Sequence, residues 1–313
     1  MTGEHPIEMI DLRKEFKGFV AVDDLTLKIE KNSFTGFLGP NGAGKSTVLK
    51  ILTNLIGATS GNAYINGADV SKEYKTALEG VGTVVETPEF YPYLTPREVF
   101  SYTGEIFGMN KESISSQTEE ILSDMKMTEW GDKRIGTFSK GMKQRISIGI
   151  ALMNDPSLII FDEPTSGLDP RGMAETREIL KGVRNKSKGL TVLMSSHDLH
   201  EVTDLCDRVA MVNHGRLLLH DRTAAITGSN MTRRIGLRMI NGPTDSAVSQ
   251  ISSLANVESA AVSGNTIEVR FTGNDGDQLR FFNDIGSLGL GVFNLHEIEA
   301  LESVYLSLIA ETR

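Results

Sequence analysis

Apolar and polar positions repeat with two periods along this chain, and the switches between them mark its parts. Over VAVDDLTLKI (20–29) apolar and polar side chains alternate, the pattern of a half-buried strand. SFTGFLG (33–39) runs into a glycine-rich loop. KSTVLKILTNL (45–55) then carries apolar residues at helical spacing, so a strand–loop–helix unit is predicted. GNAYING (61–67) reads as a short strand and VGTVVE (81–86) as a buried one. Residues 96–126 hold few β-branched runs and predict helices. From 141 the order is helix, strand (SLIIF, 157–161), helix (171–186), strand (LTVLMSS, 190–196), helix. That alternation belongs to a parallel α/β sheet.

The pattern changes after about residue 227, where GSNMTRR reads as a linker. Beyond it come strand (RIGLRMI), helix (TDSAVSQISSL), strand (VESAAVS), strand (TIEVRFT), helix (GDQLRFFNDIGSL), strand (GVFNLHEI) and a last helix (LESVYLSLIAE). β-α-β-β-α-β is the ferredoxin-like order. Two domains are therefore expected, 6–226 and 227–313.

Composition narrows the class. The chain has 313 residues with 39% hydrophobic content, enough for one sizeable core and a smaller one. A net charge of −9 argues against a free-standing nucleic-acid binder. The single cysteine, Cys206, has no partner for an internal disulfide and fits a reducing compartment. The start, MTGEHPIEMIDLRKEF, is too charged for a signal peptide. No run approaches the ~18 to 20 apolar residues of a membrane span, so any pore this protein serves is expected in another chain.

GPNGAGKST at 39–47 satisfies G-x-x-x-x-G-K-[ST]. Its glycines let backbone N–H groups turn inward around a phosphate, where a Cβ would intrude. Lys45 supplies a positive charge to β- and γ-phosphates, the Ser46 hydroxyl is a Mg²⁺ ligand, and the helix beginning there adds its dipole. Asp162 ends the apolar run Leu158–Phe161, at the carboxyl edge of a parallel strand where α/β sheets bind ligands. It suits Mg²⁺ held through water, and Glu163 beside it suits a general base facing the γ-phosphate. Alone, the two carboxylates would read as a solvated strand end; the phosphate loop upstream reverses that. His197-x-x-His200 lacks a third ligand and is not read as a metal site.

Between 133 and 145 lie five basic residues and no acid, and some of these charges simply face solvent. Within that stretch FSKGM (138–142) sits where the ATP-binding subunits of ABC transporters carry their LSGGQ signature, and the chain resembles that family over about residues 6–220. Asp162-Glu163 matches its Walker B pair, SGLD (166–169) its D-loop, His197 its switch histidine and Phe16 its adenine-stacking aromatic. The resemblance implies a P-loop NTPase: a RecA-like α/β core, an antiparallel β subdomain and a helical subdomain at about 92–153. A small C-terminal α+β domain follows, read as an accessory or dimer-stabilising unit.

ATP with Mg²⁺ is then the expected ligand pair. The nucleotide is held by Phe16, Gly39, Pro40, Asn41, Gly42, Ala43, Gly44, Lys45, Ser46 and Thr47, and by Ser139, Gly141 and Asp169 of a second subunit, most simply a second copy. Lys45, Glu86, Glu163 and His197 carry the chemistry, and Ser46, Glu86 and Asp162 the metal. A separate transmembrane permease is the implied partner, with the protein at the cytoplasmic membrane face. Two departures stand out. Lys140 and Met142 alter the signature, and Glu86 occupies the place where the family usually has glutamine. VVETPEFYPYLT resembles the subgroup exporting bacitracin and lantibiotics. The rival reading is a soluble ATPase of the same type uncoupled from transport, but those carry two cassettes or a long inserted coiled coil.

Overall fold

The computed structural model describes residues 5–86, 89–186, 189–226 and 232–298, with 301, 304, 305 and 308. The chain divides into two compact units, Met1–Asp221 and Arg222–Arg313.

In the first unit, β1 (Ile7–Phe16) and β2 (Phe19–Ile29) form an antiparallel hairpin. The alternation of β1 is broken at Asp11, where φ is +48° and the register shifts. This bulge returns Leu12 to the core after Ile7 and Met9. The sequence alone therefore shows only a strand-rich stretch there. β3 (Phe34–Leu38), buried along its whole length, leads into α1 (Lys45–Leu52). β4 (Ser60–Ile65) and the two-residue β5 (Ala68–Asp69) complete an antiparallel sheet in the order β2-β1-β4-β5.

After the short α2 (Tyr74–Ala77) and β6 (Val81–Val84), three helices form the helical subdomain. These are α3 (Pro96–Ile106), α4 (Lys111–Asp124) and α5 (Lys140–Leu152). Thr95 and Glu98 cap α3 reciprocally, with Pro96 in its first turn, so that boundary is written in local chemistry. The three helices close around Phe100. A Cβ at Gly149 would lie 2.9 Å from its ring and 2.7 Å from Ile121, so glycine sets their approach.

The central sheet takes β7 (Leu158–Asp162), α6 (Pro170–Lys186), β8 (Thr191–Ser196), α7 (Leu199–Leu205), β9 (Arg208–Asn213) and β10 (Arg216–Arg222). Its order is β10-β9-β3-β8-β7-β6, parallel from β9 through β6. β7 and β8 read as unbroken apolar runs because helices cover both faces of such a sheet.

The second unit opens with α8 (Thr223–Ile226). It continues with β11 (Thr232–Met239), α9 (Asp245–Ser252), β12 (Val257–Ser263), β13 (Thr266–Thr272), α10 (Asp275–Ser287) and β14 (Val292–Ile298). All its pairings are antiparallel, in the order β12-β13-β11-β14, the ferredoxin-like arrangement. Ile267, Val269 and Phe271 alternate inward from β13 onto Phe281 and Ile285 of α10. The expected last helix falls largely outside the described residues; 301, 304, 305 and 308 are helical.

Candidate active site

Strand register gathers the candidate residues. Leu38 of β3 pairs with Ser196 of β8, and Asp162 of β7 pairs with Ser195. The three strands therefore end together, and the next residues are Gly39 of the phosphate loop, His197 and Glu163. The N–H of Gly39 also donates to the Ser196 carbonyl at 3.3 Å.

Inside the loop, Gly44 adopts φ +99°, and a Cβ there would lie 2.3 Å from the Ala21 carbonyl. A side chain is excluded on both conformational and steric grounds. α1 starts from Gly44 with no side-chain cap and no acid in its first turn, leaving its N-terminal dipole for an anion. Lys45 is 5% exposed and curls back, its Nζ donating to the Gly39 carbonyl at 2.8 Å and to Pro40 at 3.2 Å. Burial pushes its pKa down, against the pull of Glu163 and Asp162.

Glu163 sits in the left-handed region at φ +44°, uncommon for a residue with a side chain. That turn aims its carboxylate between two nitrogens: Lys45 Nζ lies 3.5 Å from Oε1 and His197 Nδ1 lies 3.3 Å from Oε2. Burial alone would raise its pKa. Lys45 and His197 outweigh burial, with a hydrogen bond from Ser166, and hold the carboxyl below the ordinary glutamate value. The group is thus kept ionised, as a proton acceptor must be.

Asp162 and Glu163 are oriented by a residue the motifs do not reveal. Ser195 Oγ donates to Asp162 Oδ1 at 2.5 Å and accepts the Glu163 N–H at 2.9 Å. A serine inside an apolar strand carries no sequence signal; only the β7–β8 register gives it this role. Among the described residues no cluster of three or more His, Cys, Asp or Glu side chains is arranged to hold a metal. Ser46 with Asp162 is instead a sparse oxygen donor set. It fits Mg²⁺, which takes most of its ligands from water and substrate phosphates.

The other expected residues stand apart from this cluster. Ser139 caps α5, its Oγ accepting the Met142 N–H at 3.2 Å, which leaves the hydroxyl proton to donate. A Cβ at Gly141 would meet nothing closer than 3.7 Å, so nothing within the chain demands glycine there. Lys140 donates to the Ser166 carbonyl at 3.3 Å, and Arg145 pairs with Glu175. Two of the five basic residues are thereby engaged within the chain. Asp169 precedes α6, its carbonyl accepting the Met173 N–H at 2.9 Å. Phe16 ends β1, half exposed, with Lys14 Nζ 4.8 Å from its ring centre. Glu86, at φ +83°, is ion-paired with Lys50 of α1 at 2.5 Å.

Known proteins resemble this chain in sequence and fold. The ABC transporter family profile matches residues 22–166, from before the phosphate loop to just beyond Glu163. The bacitracin transport ATP-binding protein BcrA of Bacillus licheniformis is 39% identical over 212 residues, 68% of this chain and 68% of that protein. This chain belongs to the ATP-binding proteins of ABC transporters. The lantibiotic transport ATP-binding protein SrtF of Streptococcus pyogenes is 34% identical over 213 residues, 68% of this chain and 89% of its own length. A dimeric ATP-binding cassette solved in a post-hydrolysis state with ADP and Pi superposes with a TM-score of 0.61 at 25% identity. The match covers 70% of this chain and 99% of that one. The ABC cassette is thus a P-loop ATPase that binds ATP, in keeping with the motifs, and its similarities include bacitracin and lantibiotic transport proteins, the cargo classes suggested by VVETPEFYPYLT.

Proposed function

We propose that this cassette is the ATP-hydrolysing subunit of an exporter, working as a pair of identical chains beneath a separate transmembrane permease. The observation that carries this reading is Glu163, turned by its left-handed backbone to lie between Lys45 and His197 at the ends of β3, β7 and β8. Lys45, the loop 39–47 and Ser46 hold the β- and γ-phosphates of ATP, and Phe16 stacks on adenine. Glu163 accepts a proton from the attacking water as its oxygen bonds to the γ-phosphorus and the bond to ADP breaks. His197 orients the γ-phosphate. Ser46 and Asp162 would hold Mg²⁺, which would supply charge neutralisation on the phosphate oxygens. Ser139, Gly141 and Asp169 of one chain serve the nucleotide of its partner. The room at Gly141 supports that assignment, since nothing within the chain requires glycine there.

A groove of about 390 Å³ suits a permease segment, lined by Leu55, Leu78, Val85, Phe90 and Ile150. Exposed, stacked Tyr91 and Tyr93 follow Phe90 in sequence. Glu86 lines the same groove and ties to α1 through Lys50, so it is the residue we assign to carry nucleotide state to the permease; moving off Lys50, its carboxylate would offer an oxygen to Mg²⁺. Among the described residues no helix is long and apolar enough to cross a membrane, which agrees with a peripheral subunit at the cytoplasmic face. The names of BcrA and SrtF favour coupling to transport over a free-standing ATPase, and suggest an antimicrobial peptide or drug as cargo. The net charge of −9 speaks against nucleic acid as a partner.

Phosphate release and nucleotide binding test the reading together. Glu163→Gln should bind ATP normally and lose at least about 10²-fold in turnover, the scale of general-base catalysis. Lys45→Ala should lose nucleotide affinity itself. Normal turnover by Glu163→Gln would remove it as the base. Co-purification of a membrane permease with this chain, then uptake of candidate peptides into vesicles, tests the coupling.

A further inference from the structure

Glu201, in the first turn of α7, is a carboxylic acid only 1% exposed. Its two oxygens go to two different segments. Oε1 accepts from Thr165 Oγ1 at 2.8 Å and Oε2 from Ser196 Oγ at 2.6 Å. Both hydroxyl residues are themselves buried, at 4% and 2%. Thr165 lies two residues beyond Glu163, and Ser196 immediately precedes His197. Ser196 Oγ further accepts the Asp198 N–H at 3.0 Å, so the backbone is fastened on both sides of His197.

These anchors matter because packing does not hold His197. Its side chain is 49% exposed, yet it meets Glu163 at 3.3 Å. A cavity of about 460 Å³, bounded by Glu163, Thr165, Ser196, His197 and Glu201, leaves the two loops room to shift. The chain between them runs through α6 and β8. The β7–β8 pairing and Ser195 fix the strand ends, and beyond them a short polar strut across the cavity wall ties the two loops together. Burying an acid there opposes its ionisation and raises its pKa, a cost that an apolar residue would avoid.

We propose that Glu201 is a positioning residue for ATP hydrolysis, its carboxyl bridging Thr165 and Ser196 so that His197 and Glu163 face the same phosphate. Glu201 itself does not touch nucleotide. The proposal rests on the roles given to Glu163 and His197 above.

The test is steady-state ATP turnover and ATP binding by the full chain carrying Glu201→Ala, Glu201→Gln or Thr165→Val, each alone and with His197→Ala. Glu201→Ala and Thr165→Val should each lower kcat about 10- to 100-fold, the range for groups that orient a reacting residue, with KM and ATP affinity unchanged. Glu201→Gln should restore most of kcat, because an amide still accepts from Thr165 and donates to Ser196. In the His197→Ala background, Glu201→Ala and Thr165→Val should cost nothing further, which a merely structural role would not produce. Full kcat in Glu201→Ala, or losses that multiply with that of His197→Ala, would overturn the proposal and leave the ATPase reading standing. An unchanged kcat in His197→Ala alone would sink the role of His197 and this proposal with it.

Discussion

At the scale of single residues, buried Glu201 has a second consequence, in stability. Burial favours its neutral form, neighbouring Asp198 pushes the same way, and Arg177 and the two hydroxyls oppose. A carboxyl raised above its ordinary value of 4.5 stabilises the fold fully below that value, and the contribution is lost as pH rises through the folded value. Glu201→Gln has no such titration. The melting temperature of the native chain should therefore fall relative to Glu201→Gln as pH rises from about 4 upward, measured by calorimetry at a series of pH values. A flat difference would mean that the acid ionises as easily in the folded chain as in water. Residues of this kind were the least legible in the sequence. Lys45, Asp162 and Glu163 announce themselves by spacing, since loop, strand and acid must follow in order. Ser195, Glu201 and the Lys50 partner of Glu86 act across 32, 36 and 36 positions, and nothing local marks them.

At the scale of elements, two glycines separate packing from function. Gly82 lies on β6, and a Cβ there would fall 1.9 Å from the Ala151 carbonyl on α5, so strand and helix would have to part. Gly82→Ala should destabilise by at least about 1–3 kcal/mol, the usual cost of overpacking, and lower the melting temperature by several degrees. Gly141→Ala meets nothing within 3.7 Å and sits in α5, where alanine is the better helix former by about 1 kcal/mol. Its melting temperature should hold or rise, while ATP-dependent pairing and turnover fall. Light scattering with ATP beside a melting curve checks both. A stable Gly141→Ala chain that still pairs and turns over would mean that the signature glycine serves no partner. The regular elements were legible for the same physical reason that Gly82 is critical: faces buried on both sides leave unbroken apolar runs, as in β7 and β8. What escaped was irregularity, together with β9 and β10, which follow α7 beyond the predicted helix–strand alternation. The bulge at Asp11 shifts the phase of β1, and the two residues of β5 are too few to show a period.

At the scale of the whole molecule, each unit owns a core. Ile7, Phe37, Leu49 and Ile160 belong to one cluster and Ile235, Val269, Phe271 and Phe281 to another. Every residue assigned to nucleotide lies in the first unit. Ligand binding stabilises only what folds to bind it, by about 2.7 kcal/mol at 100 times the dissociation constant. Calorimetry of Glu163→Gln, which is expected to hold ATP without consuming it, should show two transitions, of which ATP with Mg²⁺ raises one and leaves the other in place. The stationary transition should be the one abolished by a core lesion such as Phe271→Ala, which removes a fully buried ring from the ferredoxin-like sheet. A single transition that moves as a whole would mean that the two cores melt as one cooperative block. The second unit would then be part of the ATPase's own stability, where two separable transitions would leave it free to serve pairing or partner contacts without altering the hydrolytic site.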